Sequence, residues 1–432
     1  MSLTLKRKHI PLNDVSIVRD TMLCVGCGGC VGICPHDAIS LIKTQESYLP
    51  HIFSEKCKGC GLCLSVCPGY SVHFKDLNLK IFGKEPDDKV LGNYVATYIG
   101  YSRDNYIRYN SSSGGLVTQL LIFALHKKIV DGAVVTATSG DDPLKPQPFI
   151  ARTKAEIIKA SKSKYCPVPV NIILKEILNS RNGEKFAFVG LPCQIQAVRK
   201  AETINKALKE KIILHFGLFC GHAPTFRATE FLLWKMGVKK EDVKNINYRG
   251  EGWPGMMSVL LKNGTKISVP YHSPYYWGLA FGLFFHLKLC SLCSDKLSEL
   301  SDISFGDAWL PEIIAKDKLG TSLIIARSEL GEKILRDAYT EGLIELKKVN
   351  IDRLLQYKLN IIRRRVNARM HILKLLGVKI PYFNRELPTP RFLDYLRAIL
   401  FYPLNYLMSR NWKATELYVK CARLCPILES II

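Results

Sequence analysis

Cys24-Val25-Gly26-Cys27-Gly28-Gly29-Cys30-Val31-Gly32-Ile33-Cys34-Pro35 and Cys57-Lys58-Gly59-Cys60-Gly61-Leu62-Cys63-Leu64-Ser65-Val66-Cys67-Pro68 are two copies of one pattern, C-x2-C-x2-C-x3-C-P, set 33 residues apart. Three closely spaced thiolates suit three irons of one cubane cluster, and the fourth, displaced and followed by proline, reaches the neighbouring cluster. The pattern therefore assigns Cys24, Cys27, Cys30 and Cys67 to one 4Fe-4S cluster and Cys57, Cys60, Cys63 and Cys34 to a second. A zinc module typically draws its four ligands from C-x2-C pairs. A disulfide framework belongs to a secreted chain. Neither suits a repeat of this form.

Residues 21–78 thus read as a bacterial-type 2x(4Fe-4S) ferredoxin unit, too small to bury a core alone and held by its clusters. Fused to a longer chain, such a unit would wire an internal redox centre to an external partner. Residues 1–20 form a polar leader with Lys6-Arg7-Lys8 and no apolar signal region, and reduced, cluster-bound cysteine fits the cytoplasm. The 432 residues leave room for two or three domains, and 47% hydrophobic content implies a sizeable core. The net charge of +23 points to nucleic acid, a membrane face or an anionic ligand. No nucleic-acid-binding motif accompanies it, so nucleic acid is the weakest of the three. The longest uncharged run, between Lys266 and Lys288, holds Pro270, His272, Pro274 and His286 and reads as buried core rather than a membrane span.

Residues 79–93, with Gly83, Pro86 and Gly92 among charges, look like a linker. Beyond them, apolar runs predict strands at Tyr94–Tyr101, Ala133–Ala137, Lys185–Val189, Lys211–Phe219, Ser258–Leu261, Asp302–Phe305 and Ser322–Ala326. Helices are predicted at Gly115–Lys127, Val168–Leu178, Gln194–Lys200, Pro224–Met236 and Leu330–Glu341. The interleaving argues for an α/β or α+β core.

Ahead of the first of these helices stands Asn110-Ser111-Ser112-Ser113-Gly114-Gly115. Serine hydroxyls, small glycines and free N–H groups at a helix start can cradle a phosphate. A serine cap on a flexible turn explains the same residues. The stretch is not G-x-G-x-x-G, so a Rossmann dinucleotide site is unsupported. Arg152, Lys162 and Lys164 could add charge for a pyrophosphate, or form a solvated face.

Four further cysteines have distinctive settings. Cys193 follows a predicted strand in Gly190-Leu191-Pro192-Cys193-Gln194, Cys220 ends another, and Cys290 and Cys293 form a C-x2-C pair. Ligands converge at strand ends in α/β sheets, so these four read as the ligands of a third 4Fe-4S cluster. Zinc fits the same four ligands, and buried packing accounts equally for Cys193 and Cys220. Cys166, Cys421 and Cys425 lack such settings and read as packing residues.

The twin cysteine runs, Ser113-Gly114-Gly115, Gly190-Leu191-Pro192-Cys193-Gln194, Gly217-Leu218-Phe219-Cys220, Gly252-Trp253-Pro254-Gly255, Cys290-Ser291-Leu292-Cys293 and Gly306-Asp307-Ala308-Trp309, in that order over roughly residues 21–345, resemble the coenzyme F-420 hydrogenase/dehydrogenase beta-subunit family. The resemblance implies FAD, iron–sulfur clusters and hydride exchange with the deazaflavin coenzyme F-420. It implies that the flavin is held by Ser112, Ser113, Gly114 and Gly115 with Ser163, Lys164 and Tyr165, and that the extra cluster falls on Cys193, Cys220, Cys290 and Cys293. Arg249 and Trp253, in the segment Tyr248–Gly255, are candidates to lie near the flavin ring or the hydride donor. A plain turn with a core tryptophan is the competing reading.

The expected fold class is α+β: the small ferredoxin domain, an α/β flavin-binding domain over residues 94–350, and a basic helical extension over 351–432. That extension holds 15 Lys/Arg against 5 Asp/Glu, led by Arg363-Arg364-Arg365. Its leucine- and aromatic-rich stretch Phe392–Met408 suits an interfacial or partner-docking helix, peripheral to a membrane, or a packing helix. The function expected is an iron–sulfur flavoprotein oxidoreductase, passing electrons between a hydride carrier such as reduced coenzyme F-420 and a redox partner protein or complex. The alternatives are a ferredoxin-dependent FAD reductase of an organic metabolite and a flavin-free electron-transfer subunit.

Overall fold

The structure, a computed structural model, describes residues 13–138, 142–282, 284–350 and 352–424, with only the backbone of 352–356 and 419–424. Fifteen strands occur among them. β1 (Ile39–Lys43) and β2 (Tyr48–Ile52) form a hairpin between the two cysteine runs, and β3 (Ser71–Val72) follows the second run. β4 (Ala96–Ser102), β5 (Gly132–Ala137), β6 (Gln147–Ala151), β7 (Phe186–Gly190) and β8 (Ile212–Leu218) enter the main sheet. β9 (Val243–Asn247), β10 (Met256–Leu261) and β11 (Lys266–Pro270) make a separate antiparallel sheet. β12 (Ile303–Asp307), β13 (Ser322–Ala326) and β14 (Ile344–Lys348) return to the main sheet, and β15 (Tyr382–Phe383) pairs in parallel with β3.

The main sheet runs β14-β4-β13-β12-β8-β7-β5-β6. Its four central strands, β12, β8, β7 and β5, are parallel, whereas β14, β4 and β13 on one side and β6 on the other are antiparallel. The parallel strands are short apolar runs because both faces are covered, as parallel sheets require. Alternate residues of β5, β7 and β8 feed different cores. Ala133, Val135, Ala187, Leu214 and Phe216 pack with the helices Leu116–His126 and Glu329–Thr340. Val134, Phe186, Phe188 and Ile212 pack with the helices Leu174–Asn179 and Pro192–Ile204.

That second face also receives the N-terminal unit. Ile33, Tyr48, Val66, Val72 and Phe74 belong to the same apolar core as Leu174, Ile195 and Val198. Gly32 lies so close that a Cβ there would stand 2.1 Å from the Asn171 carbonyl. The cysteine-rich unit is therefore built onto the sheet rather than tethered to it.

Several boundaries differ from the sequence reading. The polar leader ends by residue 13, since Val15 and Val18 are buried and Ser16–Asp20 is helical. Residues 79–93 are only partly a linker: a helix reaches Phe82, Leu91 is fully buried, and Arg327 donates to the Leu91 and Asn93 carbonyls. Of the uncharged run, Tyr271, Tyr276, Phe281, Phe284 and Phe285 are core, but its first part is β11, half exposed along its length. Cys166 is buried; the Cys421 side chain and Cys425 lie outside the described residues. No helix among the described residues is long and apolar enough to cross a membrane. The extension comprises helices Asp352–Leu375, Phe392–Arg410 and Trp412–Leu424. Arg363 is not part of a solvated basic patch: its buried guanidinium donates to the Lys89, Val90 and Ser294 carbonyls.

Candidate functional site

Glycines shape the two cysteine loops. Gly26, Gly28, Gly59 and Gly61 all take positive φ, which turns the backbone around each recess at no steric cost. One recess is lined by Cys24, Cys27, Cys30 and Cys67, the other by Cys34, Cys57, Cys60 and Cys63. Each thus gathers three cysteines of one run and the last of the other. Burial, with neighbouring cysteines adding to it, pushes the Cys24 and Cys27 thiols up to about 12. Such thiols ionise only against a cationic group, which is what an iron cluster supplies. Among the described residues no three His, Cys, Asp or Glu converge as ligands of a single ion. A cubane instead spreads its thiolates over separate irons.

The second group of cysteines stands at the carboxyl end of the parallel strands. Pro192 opens a helix directly after β7 and puts Cys193 in its first turn, while Cys220 lies two residues beyond β8. Cys290 and Cys293 lie on and just after a short helix, Lys288–Leu292, and Lys296 ties this loop to β8 through the Gly221 and Cys290 carbonyls. The Cys193 thiol is raised, first by burial and then by Cys27, Cys220, Cys290 and Cys293, so Cys193 lies within electrostatic reach of the other three and of the first recess. His222 and His286 stack beside them at 3.5 Å, each with a buried Nε2 that has no partner in the protein. Lys200, from the same helix as Cys193, donates to the Cys67 and Ser71 carbonyls at 2.9 and 2.6 Å. The spacing of the chain gives no hint of Lys200, because its cysteine neighbours are more than a hundred residues away.

At the same sheet end the serine–glycine loop folds against the start of β13. Ser113 Oγ donates to the Thr321 carbonyl, Ser322 Oγ accepts from the Gly114 N–H at 3.0 Å, and Ser112 Oγ accepts from the Ser163 N–H at 2.8 Å. Gly114 admits no side chain, since a Cβ would lie 2.6 Å from the Gly100 carbonyl. The serine hydroxyls are therefore largely spent on holding the loop. Gly115, at φ +76°, starts the helix Leu116–His126 with no side-chain cap, so its first N–H groups keep their capacity for an anion. Lys164 donates to the Ala160, Ser161 and Lys162 carbonyls, and enclosure of its ammonium lowers its pKa to about 7.

The loop between β9 and β10 completes this end. Gly250, Gly252 and Gly255 hold positive φ, and the Trp253–Pro254 peptide is cis. Gly252 N–H donates to Tyr109 and Trp253 N–H to Lys318, which brings the loop against the serine–glycine segment. Arg249 donates to both Asp307 oxygens, at 2.7 and 3.1 Å, and Trp253 Nε1 donates to Oδ1 at 2.8 Å. The Arg249 guanidinium lies 4.8 Å from the Tyr271 ring, and Trp253 packs on Trp309 at 4.6 Å. Tyr165 OH accepts from Arg249 at 3.4 Å, and its ring meets Trp277 and Phe281. Asp307, Tyr271 and Trp277 were missed as site residues, although Asp307 lies within a motif already singled out; nothing local pairs it with a residue 58 positions earlier.

Ser112, Ser113, Gly114, Gly115, Ser163, Lys164, Tyr165, Arg249 and Trp253 thus share one end of the sheet. Arg152 does not. It follows β6, which runs antiparallel to β5, so it emerges at the opposite end, where it pairs with Glu184 at 2.8 Å.

Comparison with known proteins gives the family. A 4Fe-4S dicluster domain model matches residues 17–73. The models for coenzyme F-420 hydrogenase/dehydrogenase beta subunit match in two parts, the N-terminal part at 97–175 and the C-terminal part at 183–352. The coenzyme F-420 hydrogenase subunit beta of Methanothermobacter thermautotrophicus is 28% identical over 306 residues, 68% of this chain and 100% of the relative. That of Methanosarcina barkeri is 29% identical over 272 residues, 61% of this chain and 85% of the relative. Among solved structures, a chain of the F-420-reducing [NiFe] hydrogenase complex from Methanosarcina barkeri superposes with a TM-score of 0.55 at 26% identity, covering 70% of this chain and 98% of that one. The chain therefore belongs to the coenzyme F-420 hydrogenase/dehydrogenase beta-subunit family of oxidoreductases, with a 4Fe-4S dicluster domain ahead of the family region.

Proposed function

We propose that this oxidoreductase passes electrons between a hydride carrier, reduced coenzyme F-420, and one-electron acceptors, using FAD and three 4Fe-4S clusters. The observation that carries the reading is positional. Cys193 and Cys220 follow β7 and β8 at the same end of the sheet as the Ser112–Arg249 group, and Cys27 of the first ferredoxin recess, Cys220, Cys290 and Cys293 all lie near enough to Cys193 to raise its thiol. Cys30 in turn feels Cys63 of the second recess. Neighbouring cysteines thus connect Cys193 to the first recess and the first recess to the second, where Cys60 is exposed.

FAD, when bound, supplies exchange between hydride pairs and single electrons, and the clusters supply one-electron transfer. The chain's own residues supply the rest. The uncapped start of the helix Leu116–His126, with Ser112 and the enclosed Lys164 nearby, would hold a pyrophosphate. Tyr165, Trp253, Tyr271 and Trp309 give flat apolar surface beside the site and exclude water from it. Arg249 is held by Asp307, so it orients the loop and sets a local dipole rather than acting as a free cation.

Several relatives are subunits of hydrogenase complexes by name, which supports a redox partner subunit here. Oxygen-free purification tests the reading. About twelve irons per chain with one FAD, and oxidation of reduced coenzyme F-420, seen as the return of its visible absorbance, coupled to reduction of two equivalents of a one-electron dye, is the expected result. About eight irons would remove the third cluster, and absence of flavin would leave an electron-transfer subunit.

A further inference from the structure

The helix Phe392–Arg410 has two faces of unlike purpose. Its inner face is anchored to the body. Asp394 accepts from Arg364 at 3.1 Å, Phe401 lies under the Arg369 guanidinium at 3.9 Å, and Tyr402 OH meets Ser291 Oγ at 2.9 Å. Ala398 and Met408 are buried on the same side. The opposite face carries Phe392, Leu393, Leu396, Ile399, Leu400, Pro403, Tyr406 and Leu407, all exposed. At 3.6 residues per turn these positions fill one arc of about 140°, and no charge enters it before Arg410. Phe392 is 74% exposed, Ile399 53% and Leu407 50%. Leu375 and Leu376, closing the preceding helix, are exposed too, as is Leu417 on the following one. Scattered surface leucines need no account, but a continuous stripe on one helix does.

We infer that this stripe is a binding face for an anionic lipid surface. Charge decides the occupant. Exposed cations stand around the stripe, with Arg391 and Arg410 at its ends, the latter also 3.4 Å from Glu46, and Lys374, Lys379 and Lys413 on the flanking segments. The acids of the extension whose side chains are described are turned to other work: Asp394 is buried on Arg364, Glu386 pairs with Lys89, and Glu416 pairs with Lys235. An apolar face of leucines and aromatics rimmed by lysine and arginine is the pattern of a helix lying in the headgroup plane. The stripe lies wholly beyond residue 352, where the match to the family models ends, so it is an addition to the shared body. Bound this way, the helix would bring the Cys290–Cys293 loop, which it covers through Tyr402, close to the lipid surface.

Flotation of the full chain, purified without oxygen, on phosphatidylcholine vesicles with and without phosphatidylglycerol tests this. The chain should float with the anionic vesicles, lose that association at high salt, and stay below with neutral ones. Ile399→Glu combined with Leu400→Glu should cut flotation at least tenfold while iron content and circular dichroism stay unchanged. Leu330→Glu, an exposed leucine on another helix, should float like the parent. Absence of flotation on anionic vesicles overturns the inference. Equal flotation on neutral vesicles overturns its charge argument. A dimer in light scattering that the Ile399/Leu400 variant dissolves, with no flotation, would assign the face to a second copy instead.

Discussion

Replacing Asp307 with alanine tests the arrangement of the β9–β10 loop. The carboxylate accepts two bonds from Arg249 and one from Trp253 Nε1. The Arg249 side chain is 2% exposed and that of Asp307 16%. Removing one partner of a buried pair costs about 3–5 kcal/mol, because the remaining charge stays buried. An indole N–H left without an acceptor adds about 1 kcal/mol. Water can enter where Asp307 was, so the net loss lies near the low end, about 3–4 kcal/mol. Arg249→Met should cost less, about 1–2 kcal/mol, since the carboxylate left behind is hydrated from its open side and keeps its bond to Trp253. Thermal unfolding at one scan rate reads both, at about 1 °C per kcal/mol for a chain of 432 residues. Asp307→Ala should fall by about 3–4 °C, and Arg249→Met by about 1–2 °C. Equal losses, or no loss for Asp307→Ala, would refute the asymmetry and with it the buried ion pair.

Lys200→Met should lower the potential of the cluster in the Cys24/Cys27/Cys30/Cys67 recess and leave the others in place. A buried cation beside it favours the more negative, reduced form, by an amount on the order of 1–2 kcal/mol per electron; redox titration followed by electron paramagnetic resonance measures it. Cys67→Ala should remove that same cluster although Cys67 belongs to the second run, and Cys34→Ala should remove the cluster of Cys57, Cys60 and Cys63; iron counts and spectra of the two variants distinguish this from run-by-run ligation. Lys164 carries a pH effect of definite sign. Its folded pKa of about 7 lies below the ordinary 10.5, so between these values the unfolded chain binds the extra proton. Stability should therefore rise with pH across about 7 to 10.5, by up to about 1.4 kcal/mol per unit, and level off below 7. Lys164→Met, compared with the parent by urea unfolding, should flatten that slope.

Local pattern carried the reading wherever the determining residues were neighbours in sequence. The ferredoxin cysteines are legible because each loop must place three thiolates within one turn of backbone. β5, β7, β8, β12 and β13 are legible because a strand buried on both faces must be an apolar run. β6, β9, β11 and β14 were passed over. Ile344-Glu345-Leu346-Lys347-Lys348 and Lys266-Ile267-Ser268-Val269-Pro270 are edge strands with one solvated side, and their mixed polarity blurs the signal.

Sequence by itself settled the chemistry on offer, because thiolate spacing, glycine placement and apolar periodicity are properties of contiguous residues. Only the tertiary structure decided which groups meet. The antiparallel run of β6 sent Arg152 to the far end of the sheet, the crossing of separate chain segments joined Arg249 to Asp307 and Lys200 to Cys67, and the seating of the last long helix left one apolar face outward. Contacts between residues tens or hundreds of positions apart depend on strand order and direction, which no local pattern encodes.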